Sequence, residues 1–192
     1  MPDHSTAEDI LRCARSLIAI GGYNGFSYAD ISAVVGIRKA SIHHHFPTKA
    51  DLVAKLVSQY RKEAEMGVAA LESHFPNFSD QLRAYTGYWE KCFADSSDSF
   101  CVCALLAGQL SSIPEEVAVE VRAHFRMLSK WITSVLERGV AQGHFRLDVP
   151  PAVEAEMFIA TVHGAMVSAR AYGDGKVFSA IIQPAFKRLV SK

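Results

Sequence analysis

The sequence predicts an all-α protein of about nine helices. Three observations carry that expectation. Apolar residues recur at three- and four-residue spacing along nearly the whole chain. Capping residues, glycines and prolines punctuate the pattern at helical lengths. No alternating strand pattern, internal repeat or low-complexity tract interrupts it.

The elements follow in order. Ser5 with Glu8 has the form of a capping box, and Ile10, Leu11, Ala14, Leu17 and Ile18 then make one apolar stripe. Gly21-Gly22 end that helix. Ser27 with Asp30 opens a short second helix, with Ile31, Val34 and Val35 expected to face inward and Gly36 to close it. A third short helix must fit between Gly36 and Pro47. Thr48 with Asp51 opens a longer fourth, carrying Leu52, Val53, Leu56, Val57 and Tyr60. Further helices are expected from about Ser79 to Phe93, after Ser99, and from Pro114 to near Gly143. Pro150-Pro151 start another that reaches Tyr172, and the last carries Phe178, Ile181, Ile182, Ala185, Phe186 and Leu189.

The bulk numbers narrow the function classes. The chain has 192 residues, 49% of them hydrophobic, which suffices for a real core in one or two small domains. No apolar run approaches the ~20 residues that span a bilayer. The polar start MPDHSTAED lacks a basic-then-apolar signal, so a cytoplasmic protein is expected. Four cysteines without a framework suit a reducing compartment. Net charge is zero but uneven: residues 1–62 hold eight Lys/Arg against five Asp/Glu, leaving twelve against fifteen in the remainder. Within residues 37–62, Arg38, Lys39, Lys49, Lys55, Arg61 and Lys62 face only Asp51, which points to a polyanion at one end.

The stretch GIRKASIHHHFPTKADL, residues 36–52, decides the reading. His43, His44 and His45 are adjacent, and neighbours on a helix point about 100° apart, so they cannot converge on one metal ion. No nucleophile elbow, phosphate-binding glycine loop or readable carboxylate pair supports catalysis or a cofactor. As geometry, the stretch is two short helices meeting at a glycine turn. A helix-turn-helix sets its second helix in the DNA major groove. Arg38, Lys39, Ala40, Ser41, His43 and His44 would face the DNA, with the small Ala40 and Ser41 allowing close approach. Ile37 and Ile42 would anchor the helix, and Phe46 would plug the junction. Thr48 and Lys49 would meet a phosphate at the next helix N-terminus.

Residues 5–52, including FSYADISAVVGIRKASIHHHFPTKADL and its ending His45, Phe46, Lys49, Leu52, resemble the DNA-binding domain of the TetR family of bacterial one-component regulators. The resemblance implies DNA contacts at Ser27, Tyr28, Arg38, Lys39, Ser41, His43, His44 and Lys49, with His45 and Phe46 packed inside the domain. Two positions depart from the family pattern. His43 stands where a phosphate-touching Tyr is usual, and Arg38 where a capping Ser or Thr is usual. Both bear on sequence preference rather than fold.

The resemblance divides the chain into a DNA-binding domain, residues 1–50, and a dimerisation and effector-binding domain, residues 51–192, linked by a helix over 48–74. The residues support dimerisation independently: PPAVEAEMFIATVHGAMVSARAY is apolar nearly all round and needs cover on both sides. Ala160, Gly164, Ala165 and Ser168, with Phe178, Ile182 and Phe186 of the last helix, are the candidate dimer face. Effector-pocket candidates are Trp89, Cys92, Phe93, Cys101, Cys103, Phe125, Trp131, Phe158 and His163. Cys101, at the start of a helix behind possible caps Ser97, Asp98 and Ser99, raises a second option: sensing electrophiles or oxidants through Cys101, Cys103 or Cys92, opposed by Asp95 and Asp98. The expected partners are double-stranded operator DNA, a second copy of the chain and a small-molecule effector, with no metal, cofactor or membrane. An enzyme in the helical bundle and a protein- or RNA-binding helical module are the rival classes. Activation in place of repression stays open.

Overall fold

The computed structural model describes residues 6–94 and 100–190. Nine α-helices run in order among them: α1 (Thr6–Gly21), α2 (Tyr28–Val35), α3 (Lys39–His45), α4 (Lys49–His74), α5 (Phe78–Ala94), α6 (Val102–Ala107), α7 (Glu115–Ala141), α8 (Pro151–Tyr172) and α9 (Lys176–Leu189). A single 3₁₀ turn, Tyr23–Gly25, joins α1 to α2. The all-α expectation holds, and most predicted ends fall within a residue or two of the observed ones. Ser5, Asp95, Ser97, Asp98 and Ser99 lie outside the described residues, so the caps expected there are not part of this description.

Local chemistry sets both ends of α2 and the start of α4. Ser27 and Asp30 form a full capping box on α2. Gly36 ends α2 in the left-handed region at φ 75°, where a β-carbon would be strained, and its N–H donates to Ser32 O. Thr48 and Asp51 cap α4 reciprocally: the Thr48 N–H donates to Asp51 at 3.0 Å and the Asp51 N–H to the Thr48 hydroxyl at 3.1 Å.

The chain forms two compact units. The first comprises residues 1–62 and 100–124; the second comprises 63–99 and 125–192. The boundary expected at residue 50/51 does not coincide with either. Instead α4 and α7 each contribute to both units, and α6 belongs with the N-terminal helices. The core of the first unit holds Ile10, Ile18, Ile31, Ile42, Leu52 and Leu106, all fully buried. Val34, expected inside, is 70% exposed, because the short α2 buries only Ile31. The α6 segment is fastened to the end of α1 by Gln109, whose Oε1 accepts the Tyr23 N–H at 2.9 Å.

In the second unit, α8 and α9 lie against each other, clamped by Arg188 on Glu154, a carboxylate with no exposed surface. The α8–α9 turn brings Gly175 so close to Phe93 that a β-carbon there would sit 2.8 Å from its backbone oxygen. Among the described residues, no helix is long and apolar enough to cross a membrane.

Candidate functional site

The α2–turn–α3 segment is held rigid from below and left open above. Ile42 and Phe46 are buried, as the sequence predicts. The Ser32 hydroxyl donates to Ile37 O at 2.6 Å, bracing the turn from within. On the outer side Arg38, Lys39, Ala40, His43 and His44 are exposed and Ser41 is partly so. Arg38 occupies the N-cap of α3 and makes no capping bond, so its guanidinium is left for another partner. The result is a short helix that presents two cations and two imidazoles around a small-residue centre. His45, expected inside, is exposed as well, because α3 turns only Ile42 to the core.

Four predicted contact residues are engaged with the protein itself. The Tyr28 hydroxyl donates to Phe46 O at 2.9 Å, and its ring meets His43 edge-on at 4.7 Å. Burial first, then the Asp51 and Tyr23 charges, push that phenol up to about 12. Tyr28 therefore stitches the start of α2 to the end of α3. The Ser27 hydroxyl accepts the Ala29 N–H and donates to Asp30. Lys49 departs most from expectation. Its ammonium donates to Phe26 O and lies 4.1 Å from the Phe26 ring centre and 4.9 Å from that of Tyr23. Burial lowers its pKa, partly offset by Asp30. With the Thr48 N–H and hydroxyl both spent on Asp51, Thr48 and Lys49 build the junction into α4 in place of the free phosphate site expected there.

His43 is more informative than its exposure suggests. Its Nδ1 lies 3.2 Å from Pro47 O, and a carbonyl only accepts, so Nδ1 carries the proton. In the neutral ring Nε2 is then a bare acceptor. It donates to a phosphate only as the imidazolium.

The pocket candidates separate. Cys101 and Cys103 fall in the first unit, while Trp89, Cys92, Phe93, Phe125, Trp131, Phe158 and His163 fall in the second. Cys101 is the N-cap of α6 and its sulfur accepts the Ala104 N–H at 3.4 Å. Burial nevertheless pushes its pKa up, against the Ala104 N–H, Tyr60 hydroxyl and Arg15 that pull it down. Cys103 is raised well above an ordinary thiol, by burial and then by Cys101. Both are poor nucleophiles for want of thiolate. The dipole argument from sequence is outweighed because Cys101 and Cys103 are 1% and 0% exposed.

In the second unit α5 and α7 run antiparallel, with Tyr85 against Trp131 at 5.5 Å and Arg138 over Phe78 at 5.0 Å. Helix α8 runs antiparallel to α7, with His163 against Phe125 at 5.0 Å and Ser129 donating to Glu156 at 2.5 Å. Phe93 instead stacks on Phe178 at 5.4 Å, and Phe158 is buried in α8. Burial lowers His163 to about 4, so its ring is neutral near pH 7.

The dimer candidates divide into buried and open residues. Ala165, Phe178, Ile182 and Phe186 are at most 5% exposed in one chain, because α9 packs on both α8 and α5, with Phe178 stacked on Phe93 and Arg83 over the Phe186 ring. The open face of α8 carries Ala160 and Gly164 in a row with Val153, Met157, Val167 and Ala171. Their spacing alternates four and three, the seven-residue period of a helix-pairing seam, and that period is the signal in the sequence that marks this face.

Comparison with known proteins bears on all of this. Residues 10–56 match the family described as bacterial regulatory proteins, tetR family, and residues 79–184 match the tetracyclin repressor-like C-terminal domain. A solved TetR-family transcriptional regulator from Agrobacterium tumefaciens is 62% identical, with 96% of this chain and 97% of that one covered, at a TM-score of 0.94. A Legionella pneumophila TetR regulator shares the fold at a TM-score of 0.89 and 24% identity, covering 98% of this chain and 100% of that one. The biofilm operon negative transcriptional regulator IcaR of Staphylococcus epidermidis is 27% identical over 141 residues, 73% of this chain and 72% of the relative.

Proposed function

The chain belongs to the TetR family of DNA-binding transcriptional regulators, and from that premise we propose that it is a homodimeric repressor released from its operator by a small-molecule effector. The observation that carries the reading is α3: a braced, exposed helix with Arg38, Lys39, Ala40 and His44 outward and Ile42 locked into the core. Arg38 suits a guanine edge in the major groove. Lys39 and the protonated form of His43 suit phosphates. Ser27, Tyr28 and Lys49 position this surface from behind.

The open apolar row on α8 supports the dimer. Met157 and Val167 are 44% and 57% exposed, and covering what remains open contributes about 1 kcal/mol each, roughly half the value of a full burial. Paired subunits set two α3 helices about 34–36 Å apart, one turn of DNA. The long helix α4, which follows the helix-turn-helix directly in the chain, is the proposed lever for release. A bias of a few kcal/mol between two dimer states suffices for release. The relative IcaR is named a negative transcriptional regulator, which supports repression over activation.

The test is a titration against the DNA upstream of the protein's own gene at two salt concentrations. Selective binding that weakens steeply with salt is expected, since phosphate contacts release counterions. Replacing Arg38 with Ala should relax base preference, and replacing Met157 and Val167 with Arg should give a folded monomer with much weaker operator binding. Equal affinity for unrelated duplexes, or full operator affinity in that monomer, would overturn the reading.

A further inference from the structure

We propose that the effector of this regulator is an uncharged aromatic molecule whose carbonyl oxygen accepts hydrogen bonds from the indole N–H groups of Trp89 and Trp131, beside His163. The proposal rests on the regulator reading above and specifies the chemistry of its effector site.

The two indole N–H groups are the first observation. Trp89 and Trp131 are 7% and 8% exposed, and neither Nε1 has a hydrogen-bond partner in the chain. Buried indoles ordinarily find one, and a buried donor left unmatched is costly. Nε2 of His163 is buried and unpartnered as well.

The helix register is the second. Tyr85 and Trp89 are one turn apart on the same face of α5, and Tyr85 touches Trp131. The antiparallel pairing of α5 with α7 sets Trp89 across from Met127, beside Phe125. The pairing of α7 with α8 sets His163 across from Phe125. The three unpartnered groups thus occupy neighbouring turns of three helices, walled by the rings of Tyr85 and Phe125.

The absence of balancing charge is the third. Among the described residues of this unit, the buried polar side chains are Gln81, Thr86 and Glu154. Thr86 donates to its own helix, Glu154 is held by Arg188, and Gln81 donates to Phe75 O while its Oε1, one turn before Tyr85 on α5, is itself an unpartnered but neutral acceptor. No buried cation is left to receive a carboxylate and no buried anion to receive an amine. Donors without charge, set among aromatic rings, select a neutral acceptor. A bare hydrocarbon would leave both indoles unmatched.

The test uses the full-length dimer and matched probes: 2-acetylnaphthalene, the anion 2-naphthoate and the hydrocarbon 2-ethylnaphthalene. Binding is measured by calorimetry and by tryptophan emission, which reads the site directly because the chain has only two tryptophans. The ketone is expected to bind about tenfold or more tightly than either analogue. Trp89→Phe and Trp131→Phe should each weaken the ketone about three- to tenfold more than they weaken the hydrocarbon, since both probes lose ring contact but only the ketone loses a hydrogen bond. Unchanged thermal unfolding shows that the variants keep their shape. Preference for the naphthoate, equal binding of the hydrocarbon, insensitivity to both substitutions, or no ketone binding overturns the proposal. Operator affinity is measured on the same samples. Selective DNA binding without ketone binding refutes this inference alone, whereas loss of operator selectivity refutes the regulator reading beneath it.

Discussion

Lowering the pH should destabilise the second unit through His163. Burial brings its imidazole from an ordinary 6.5 down to about 4. Above pH 6.5 the ring is neutral whether the chain is folded or not, and it has no effect on stability. Between 6.5 and 4 the unfolded chain binds a proton that the folded chain refuses. Stability therefore falls with pH across that window, by up to 1.4 kcal/mol per unit. Below 4 both states are charged and the loss levels off at about 3 kcal/mol. Other groups titrate in the same range, so the measurement is a difference. Urea unfolding is followed at several pH values for the protein and for His163→Phe, which keeps an aromatic ring on α8 against Phe125 without a titrating group. The two stability curves should separate progressively as pH falls from 6.5 to 4, with the variant the more stable by about 3 kcal/mol at the acid end. At pH 7.5 the variant should be within about 1 kcal/mol of the parent, or slightly better for losing an unpartnered nitrogen. Parallel curves across the window would refute the argument, since they would mean that the imidazole titrates alike in both states.

Three further expectations follow from single contacts. Tyr28→Phe removes the bond to Phe46 O and should cost about 1 kcal/mol of stability and weaken the operator complex a few-fold, with no change in its salt slope; a changed slope would make Tyr28 a phosphate contact. Gly22→Ala places a β-carbon at φ +71° and 2.5 Å from the Gln109 amide, so thermal unfolding should show a loss of at least about 1 kcal/mol, part of which a second change, Gln109→Ala, restores. An aromatic disulfide reagent should label half-exposed Cys92 first and reach Cys13, Cys101 and Cys103 only on unfolding; rapid labelling of Cys101 in the folded protein would revive the thiol-sensing alternative.

What could be read from sequence and what could not divides along the range of the interactions. The ends of α2 and α4, the Gly36 turn and the burial of Ile42 were legible because each is set within about four residues, by a cap, a left-handed glycine or the helical period. Together with the family resemblance they determined the fold class and the helix-turn-helix, and pointed to α3 as the surface proposed for DNA. Long-range contacts decided the rest. Lys49 reads as a phosphate ligand until Phe26, 23 residues away, supplies a carbonyl and a ring for its ammonium. Cys101 reads as an activated thiol until burial outweighs its helix position. Helix α8 is apolar on nearly every side, so its composition does not say which side α9 covers; only packing shows that Phe158, Ala165 and Met166 go inward and Met157, Gly164 and Val167 stay open. Periodicity specifies that a helix has an apolar face, but the neighbour that fills it comes from elsewhere in the chain, and that choice is made by tertiary structure alone.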